Sequence, residues 1–277
     1  DSIVGSVTKM SNEGTVLASN LVNLYGQDLE NKGLVFADNV NLNAEQKLVN
    51  LGGKIVAADS LSLYGGKSVE LGATSTETQS QLGRTETGNK QVDRQSELKV
   101  TGKGGELSIQ SGGDITIKAA NVKSAGTVDV NAKGKLLVTT EKQSSKEHYD
   151  FSDNHHYHLD KEGEVGSVIE GKDGVRLIGQ EETTLRQAEV TSANGKVMVA
   201  SKGGVRIEEG AEVVGSIIMK GVVIEKGAKV YNSIIAEGSV VKENVEVGNR
   251  EIVLGKEQIT VVGRDEVVKE NRKVEGK

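Results

Sequence analysis

The chain has 277 residues, with 34 basic and 40 acidic side chains for a formal charge of −6, and it contains no Pro, Cys or Trp. Zero Cys excludes disulfide staples, zinc fingers and thiol catalysis, and the charge balance leaves no basic footprint for nucleic acid. With 3% aromatic residues and 35 Gly, a wide globular core cannot be filled, whereas a thin core of Val, Ile, Leu and Ala repeated along a stack suffices.

The N-terminal third sets the repeat. Gly14-Thr-Val-Leu-Ala-Ser-Asn-Leu-Val-Asn-Leu-Tyr-Gly26 recurs from Gly33 to Ala44 and again from Gly53 to Gly65, with starting glycines 19 and 20 residues apart. Looser copies follow at Gly105, Gly113, Ala120 and Val190. Within them lie alternations such as Val40-Asn-Leu42, Leu61-Ser-Leu63, Ile115-Thr-Ile117, Val128-Asp-Val130 and Val205-Arg-Ile207. Period two means strands with one buried face, and Gly, Asn and Asp mark the bends between them. A period near 20 with about three strands per turn predicts a parallel β-helix (β-solenoid) over 1–210. The lack of Pro fits strands that donate to a ladder on both sides.

Two polar stretches interrupt the rhythm, Thr74–Glu97 and Thr139–Val165. Both are expected to leave the solenoid wall as loops or extra hairpins, where function on repeat scaffolds concentrates. The first, without apolar alternation, reads as a disordered surface insertion rather than a glycan- or receptor-contacting loop. The second holds Tyr149, Phe151, Tyr157 and all four histidines. His156 and His158 would share one face of a strand and, with His155, Asp150, Asp153 and Asp160, form the one dense group of metal-capable side chains. The preferred reading is a solvated hairpin that holds no metal and whose Tyr149, Phe151 and Tyr157 pack onto the solenoid; the same three rings are the candidate partner contacts.

From about residue 211 the period becomes six. Ile218, Ile224, Val230 and Ala236 form one series, and Val222, Ala228, Ile234 and Val240 a second; the pattern frays at Lys242. This is a hexapeptide β-helix pattern over 211–263, short enough to need stacking on the preceding solenoid as a cap, with a homo-oligomer through 211–263 as a further option. Ile252–Val262 could add one or two strands, and 264–277 reads as a frayed charged tail.

Catalytic readings lack their residues. Carboxylates do not recur at one register as a β-helix lyase or hydrolase would need. Residues 211–277 hold no His to serve as an acyltransferase base. Gly102-Lys-Gly-Gly105 and Gly203-Gly204 lack phosphate-loop spacing and are read as corners. No catalytic residue and no cofactor is expected. No apolar run approaches the roughly 20 residues that span a bilayer. The start at Asp1 without a signal peptide points to a processed or excised piece.

Two family resemblances follow. Glu147-His-Tyr-Asp-Phe-Ser-Asp-Asn-His-His-Tyr-His158, then Glu164-Val-Gly-Ser and Asp173–Leu185, resemble the filamentous haemagglutinin repeats of two-partner-secretion exoproteins, including contact-dependent inhibition effectors. That resemblance implies a right-handed β-helix and a secreted, cell-surface parent. It also implies an outer-membrane transporter as export partner, and a host or neighbouring-cell receptor or glycan as target. Gly215–Gly238 and Ile259-Thr-Val-Val-Gly263 resemble the C-terminal left-handed β-helix of glucose-1-phosphate adenylyltransferase, with Lys220 where that family has Pro. Its nucleotide-binding domain has no counterpart here. The pairing suggests an engineered or recombined chimera in which one solenoid closes another.

Overall fold

The structure is a computed structural model that describes residues 1–152, 154–195, 197–201, 205–207, 211–214, 216–219, 222–225, 227–249 and 259–272. Asp153, Gly203, Gly204, Lys220, 252–258 and 273–277, each part of an expectation above, lie outside the described residues.

Among the described residues, helices are absent and parallel strands wind into coils with three faces. Along one face Ser2 pairs with Leu21, Leu21 with Asn39, Asn39 with Ser60, Ser60 with Glu106, Glu106 with Thr127 and Thr127 with Gly174. These steps are 19, 18, 21, 46, 21 and 47 residues. The short steps are the expected coil period, and the two long ones are the coils that carry the polar excursions.

Inward residues stack like on like. Val22, Val40, Leu61, Leu107, Val128 and Val175 form one buried row, and Leu24, Leu42, Leu63, Ile109, Val130 and Leu177 the next. Each buried aliphatic contributes about 1.5–3 kcal/mol over its exposed state. A thin core therefore becomes stable by repetition. Corners are tight: at Gly66 a Cβ would lie 2.0 Å from the Glu45 carbonyl oxygen, closer than any side chain tolerates.

The two solenoid segments meet through one reversed strand pair. On the third face Lys135–Thr139 pairs with Glu182–Leu185, which pairs with Val205–Ile207. Val205–Ile207 then pairs antiparallel with Ala211–Val214, which pairs parallel with Lys229–Tyr231. The ladder thus keeps advancing while the chain runs the other way round the core. Reversed travel with continued advance inverts the sense of winding, so the two segments have opposite hands.

The hexad segment departs from strict sixes. Ile217 pairs with Ile234, Val223 with Val240 and Lys229 with Glu246, a step of 17 where three hexads would need 18. The missing residue falls at Asn232, whose φ of 44° turns the corner early. The inward rungs therefore run Ile218, Ile224, Val230, Ile235, Val241 and Val247, not through Ala236 and Lys242. Ser233 and Ser239 likewise take the buried places expected of Ile234 and Val240, and Val245 continues that row. The irregularity at Lys242 is a phase shift rather than a break, and its amine bonds Glu225 at 2.7 Å.

The charged C-terminal stretch is also corrected. Thr260–Val262 and Val267–Val268 stack as a third level on Ser233–Ile235 and Val240–Val241. Val268 is buried, and Gly248 N–H donates to the Arg272 carbonyl at 2.7 Å. Through residue 272 this stretch is solenoid, because alternate apolar residues suffice for a coil even among charges.

Candidate functional site: the excursion sheet

Both polar excursions are hairpins, and they pair with each other. Thr74–Leu82 and Thr85–Arg94 form the first, Glu141–Ser152 and His155–Val165 the second, in one antiparallel sheet. Thr85–Arg94 lies beside Glu141–Ser152, from Tyr149 opposite Thr85 to Ser144 opposite Lys90. The reading of Thr74–Glu97 as a disordered insertion is overturned. Its polar sequence has no core of its own to form, but its backbone finds ladder partners supplied from the second hairpin.

The solenoid sets that pairing. The first hairpin leaves after Ser68–Gly72 and returns into Ser96–Val100, one level higher. The second leaves after Lys135–Thr139, two coils above the first exit, because Asp114–Lys118 lies between them in the ladder. Coils and neighbouring strands share a spacing of about 4.8 Å. Two coils therefore equal the width of one hairpin, and four successive levels feed four adjacent strands. Glu141 fastens the base. It accepts hydrogen bonds from Lys90 of the first hairpin at 2.7 Å and from Lys118 of the wall. Burial pushes its carboxyl up, but the two lysines outweigh this and hold it below the ordinary carboxylate range.

Period-two alternation gives the sheet two unlike faces. On one face the rows are Gln81–Glu86–His148–His158, Gln79–Gly88–Lys146–Asp160 and Glu77–Lys90–Ser144–Glu162. Several of its polar groups pair with one another. Lys146 meets Glu86 at 2.8 Å, His148 Nε2 meets Asp160 at 3.0 Å, and His158 Nε2 meets Asp150 at 2.8 Å. The His148 and His158 rings stack at 4.2 Å, 15° from parallel. On the other face the rows are Leu82–Thr85–Tyr149–Tyr157, Ser80–Thr87–Glu147–Leu159 and Thr78–Asn89–Ser145–Lys161. Only Glu147 and Lys161 carry charge in these three rows.

The candidate metal residues are only partly assembled. His156 and His158 do share a face, with ring centroids 5.4 Å apart, but His155 sits at the hairpin tip opposite Ser152. Among the described residues no group of three or more His, Cys, Asp or Glu side chains is arranged to hold a metal ion. His148, which the spacing argument left aside, is the residue that pairs with His158.

The aromatic residues are placed differently from the packed-hairpin reading. Tyr149 stacks with Phe151 at 6.3 Å and meets Tyr157 at 6.1 Å. Phe151 is 75% and Tyr157 48% exposed, at the end of the sheet away from the wall. They contact one another rather than the solenoid, because the extra hairpin length carries them past it. Between Ser75 and Gln91, and between Lys142 and Gly163, no described residue is buried on either face.

Comparison with known families agrees with this division. The family described as Hemagglutinin repeat matches residues 82–156, which span most of the excursion sheet and the coils between its hairpins. The family described as GlmU-like, C-terminal hexapeptide matches residues 187–265. Searches of curated proteins and of solved structures gave no match. A hexapeptide repeat implies a left-handed helix, and the reversed strand pair then makes the preceding coils right-handed. The chain is thus an all-β parallel solenoid of two compositions, in which residues 82–156 match a haemagglutinin repeat and residues 187–265 a hexapeptide repeat.

Proposed function

We propose that this chain is a non-catalytic stalk of a secreted, surface-exposed adhesive exoprotein, and that the excursion sheet is its contact surface. One observation carries the reading: an ordered sheet stands off the wall with both faces in solvent and three aromatic rings at its outer end. A sheet with neither face buried has no stabilising role for the core, and exposed aromatic groups on a rigid support mark recognition surfaces. The haemagglutinin-repeat match supports the same assignment, since that family is typical of secreted and surface proteins. The partners are then an outer-membrane transporter during export and a receptor or glycan on a host or neighbouring cell.

Beads carrying the chain, and beads carrying a version with residues 75–93 and 142–163 each replaced by a short turn, are incubated with epithelial cells and with bacteria. Adherence of the intact chain alone supports the stalk-and-sheet reading; equal adherence of both, or of neither, sinks it.

A second reading, a scaffold whose hexad segment caps and oligomerises it, is favoured by the outer surface of that segment. Ile217, Ile234 and Val261 form an outward ladder on one face, and Val223, Val240 and Val267 on another. Four of the six are exposed. Lys229 and Glu246 occupy the third face. Two aliphatic faces beside a charged one suit packing against a second copy.

A further inference from the structure

We propose that the sparsely charged face of the excursion sheet, where Glu147 and Lys161 balance one another, binds a neutral oligosaccharide. The proposal rests on the adhesive reading above and names the chemistry of its ligand.

The first observation is segregation. On the opposite face Lys146 pairs with Glu86 and the His148 and His158 rings bond Asp160 and Asp150, while Thr78, Ser80, Thr87, Asn89 and Ser145 line this one with Glu147 as the charged group among them. The second is shape. A hollow of about 340 Å³ lies over these residues and Tyr149, with Lys146 and Glu147 also on its lining, and a second of about 310 Å³ adjoins it, sharing Asn89 and Ser145 and extending to Gln91, Gln143, Lys90, Lys161 and Glu162. Together they form a shallow trough running from the base of the sheet to its aromatic end. The third is the aromatic end itself. Tyr149 closes the trough, and Phe151 and Tyr157 continue it in ring-to-ring steps of 6.3 and 6.1 Å.

A sugar ring has a rim of hydroxyls and flat patches of C–H. Hydroxyl and amide side chains supply both donors and acceptors to the rim without imposing a charge. Aromatic faces cover the C–H patches and are large, rigid and amphipathic. A shallow, elongated trough takes a linear chain rather than a single small molecule. Single-stranded nucleic acid would need a cationic track beside its stacking rings, whereas the lysines that line the hollows, Lys90, Lys146 and Lys161, are interleaved with Glu147 and Glu162. An amphipathic helix would need an apolar groove along its length, whereas the apolar groups here are confined mainly to one end.

The test uses the whole chain. It is applied to immobilised neutral oligomers of galactose, mannose and N-acetylglucosamine and to their sialylated and sulfated counterparts, and any hit is measured by calorimetry. Phe151→Ala and Asn89→Ala probe the trough; both side chains are exposed and remote from the solenoid core, so the fold is retained. His156→Ala on the charged face is the control. The expected result is binding of a neutral oligomer, weakened at least tenfold by Phe151→Ala and by Asn89→Ala and unchanged by His156→Ala. Far-ultraviolet dichroism identical to the parent shows that the sheet persists in each variant.

Absence of any binding, binding of charged glycans alone, or a loss caused equally by His156→Ala overturns the proposal. Concentration-dependent self-association abolished by Phe151→Ala also overturns it and assigns the face to a second copy. Failure here is separable from failure of the adhesive reading. A chain that adheres to cells through the excursion sheet but binds no neutral oligomer keeps the first and loses the second.

Discussion

Asn31 donates its side-chain amide to the Asn50 side-chain oxygen at 2.7 Å, inside the solenoid and one coil apart. Asn12 continues the chain of bonds below, donating to Asn31 at 2.7 Å, and Asn50 passes it to Ser96 above. Asn31 and Asn50 are 2% and 0% exposed, in the row occupied by Leu71 on the next coil. Buried amides are tolerated here because each finds partners on the coils above and below.

Asn50→Ala is expected to destabilise the chain by about 1–3 kcal/mol, since it removes one acceptor of the Asn31 amide and the donor to the Ser96 hydroxyl. Replacing Asn31 and Asn50 together by Leu removes both ends of the bond and extends the Leu71 row, so the pair should cost less than the sum of the single changes. Urea midpoints of the two singles and the double measure this coupling.

Glu141 should make attachment of the excursion sheet pH-dependent. Its folded carboxyl is held below the ordinary range by Lys118 and Lys90 acting against burial. Its stabilisation is therefore complete above the unfolded carboxylate value and is lost as pH falls through the lower folded value. Amide exchange in 85–94 and 141–150 is expected to be faster in Glu141→Gln than in the parent at pH 6. The two should converge as the pH falls through the depressed value of the folded carboxyl.

Gly66→Ala should be among the most damaging single-methyl changes in the chain. The added Cβ meets the Glu45 carbonyl oxygen at 2.0 Å, and Gly112 stacks directly above. Relief requires the coils to part, and overpacking of this kind costs about 1–3 kcal/mol or more. A fall in thermal midpoint checks it, with Gly14→Ala as comparison, where a Cβ meets nothing.

Self-association through the hexad segment gives a further expectation. Val223→Lys and Ile217→Lys place a charge on each aliphatic outer face without touching the inward rungs. Sedimentation velocity should show an assembled parent and dissociated variants. A parent that sediments as a monomer at tens of micromolar would end the oligomer reading.

The period of the coils, the β class and the two compositions were legible in the residues, because inward positions in a stack must be apolar at every turn. Val40-Asn-Leu42 and Leu61-Ser-Leu63 announce both strand and register. The Asn12–Asn31–Asn50 spacing of 19 was equally present, but Asn looks like a corner residue until its burial is known. The early turn at Asn232 was hidden because Ile234 and Ile235, like Val240 and Val241, offer an apolar residue in either phase.

Only the tertiary structure decided the excursion sheet. Neither hairpin has an apolar face that foretells pairing, and the residues that meet, Thr85 with Tyr149 or Lys90 with Glu141, are more than 50 positions apart. Their pairing follows from the equal spacing of coils and strands, a property of the solenoid rather than of either segment. The same geometry turned the aromatic rings outward and the charges to the opposite face. Local sequence thus specified the coils, and the stacking of the coils specified the surface they display.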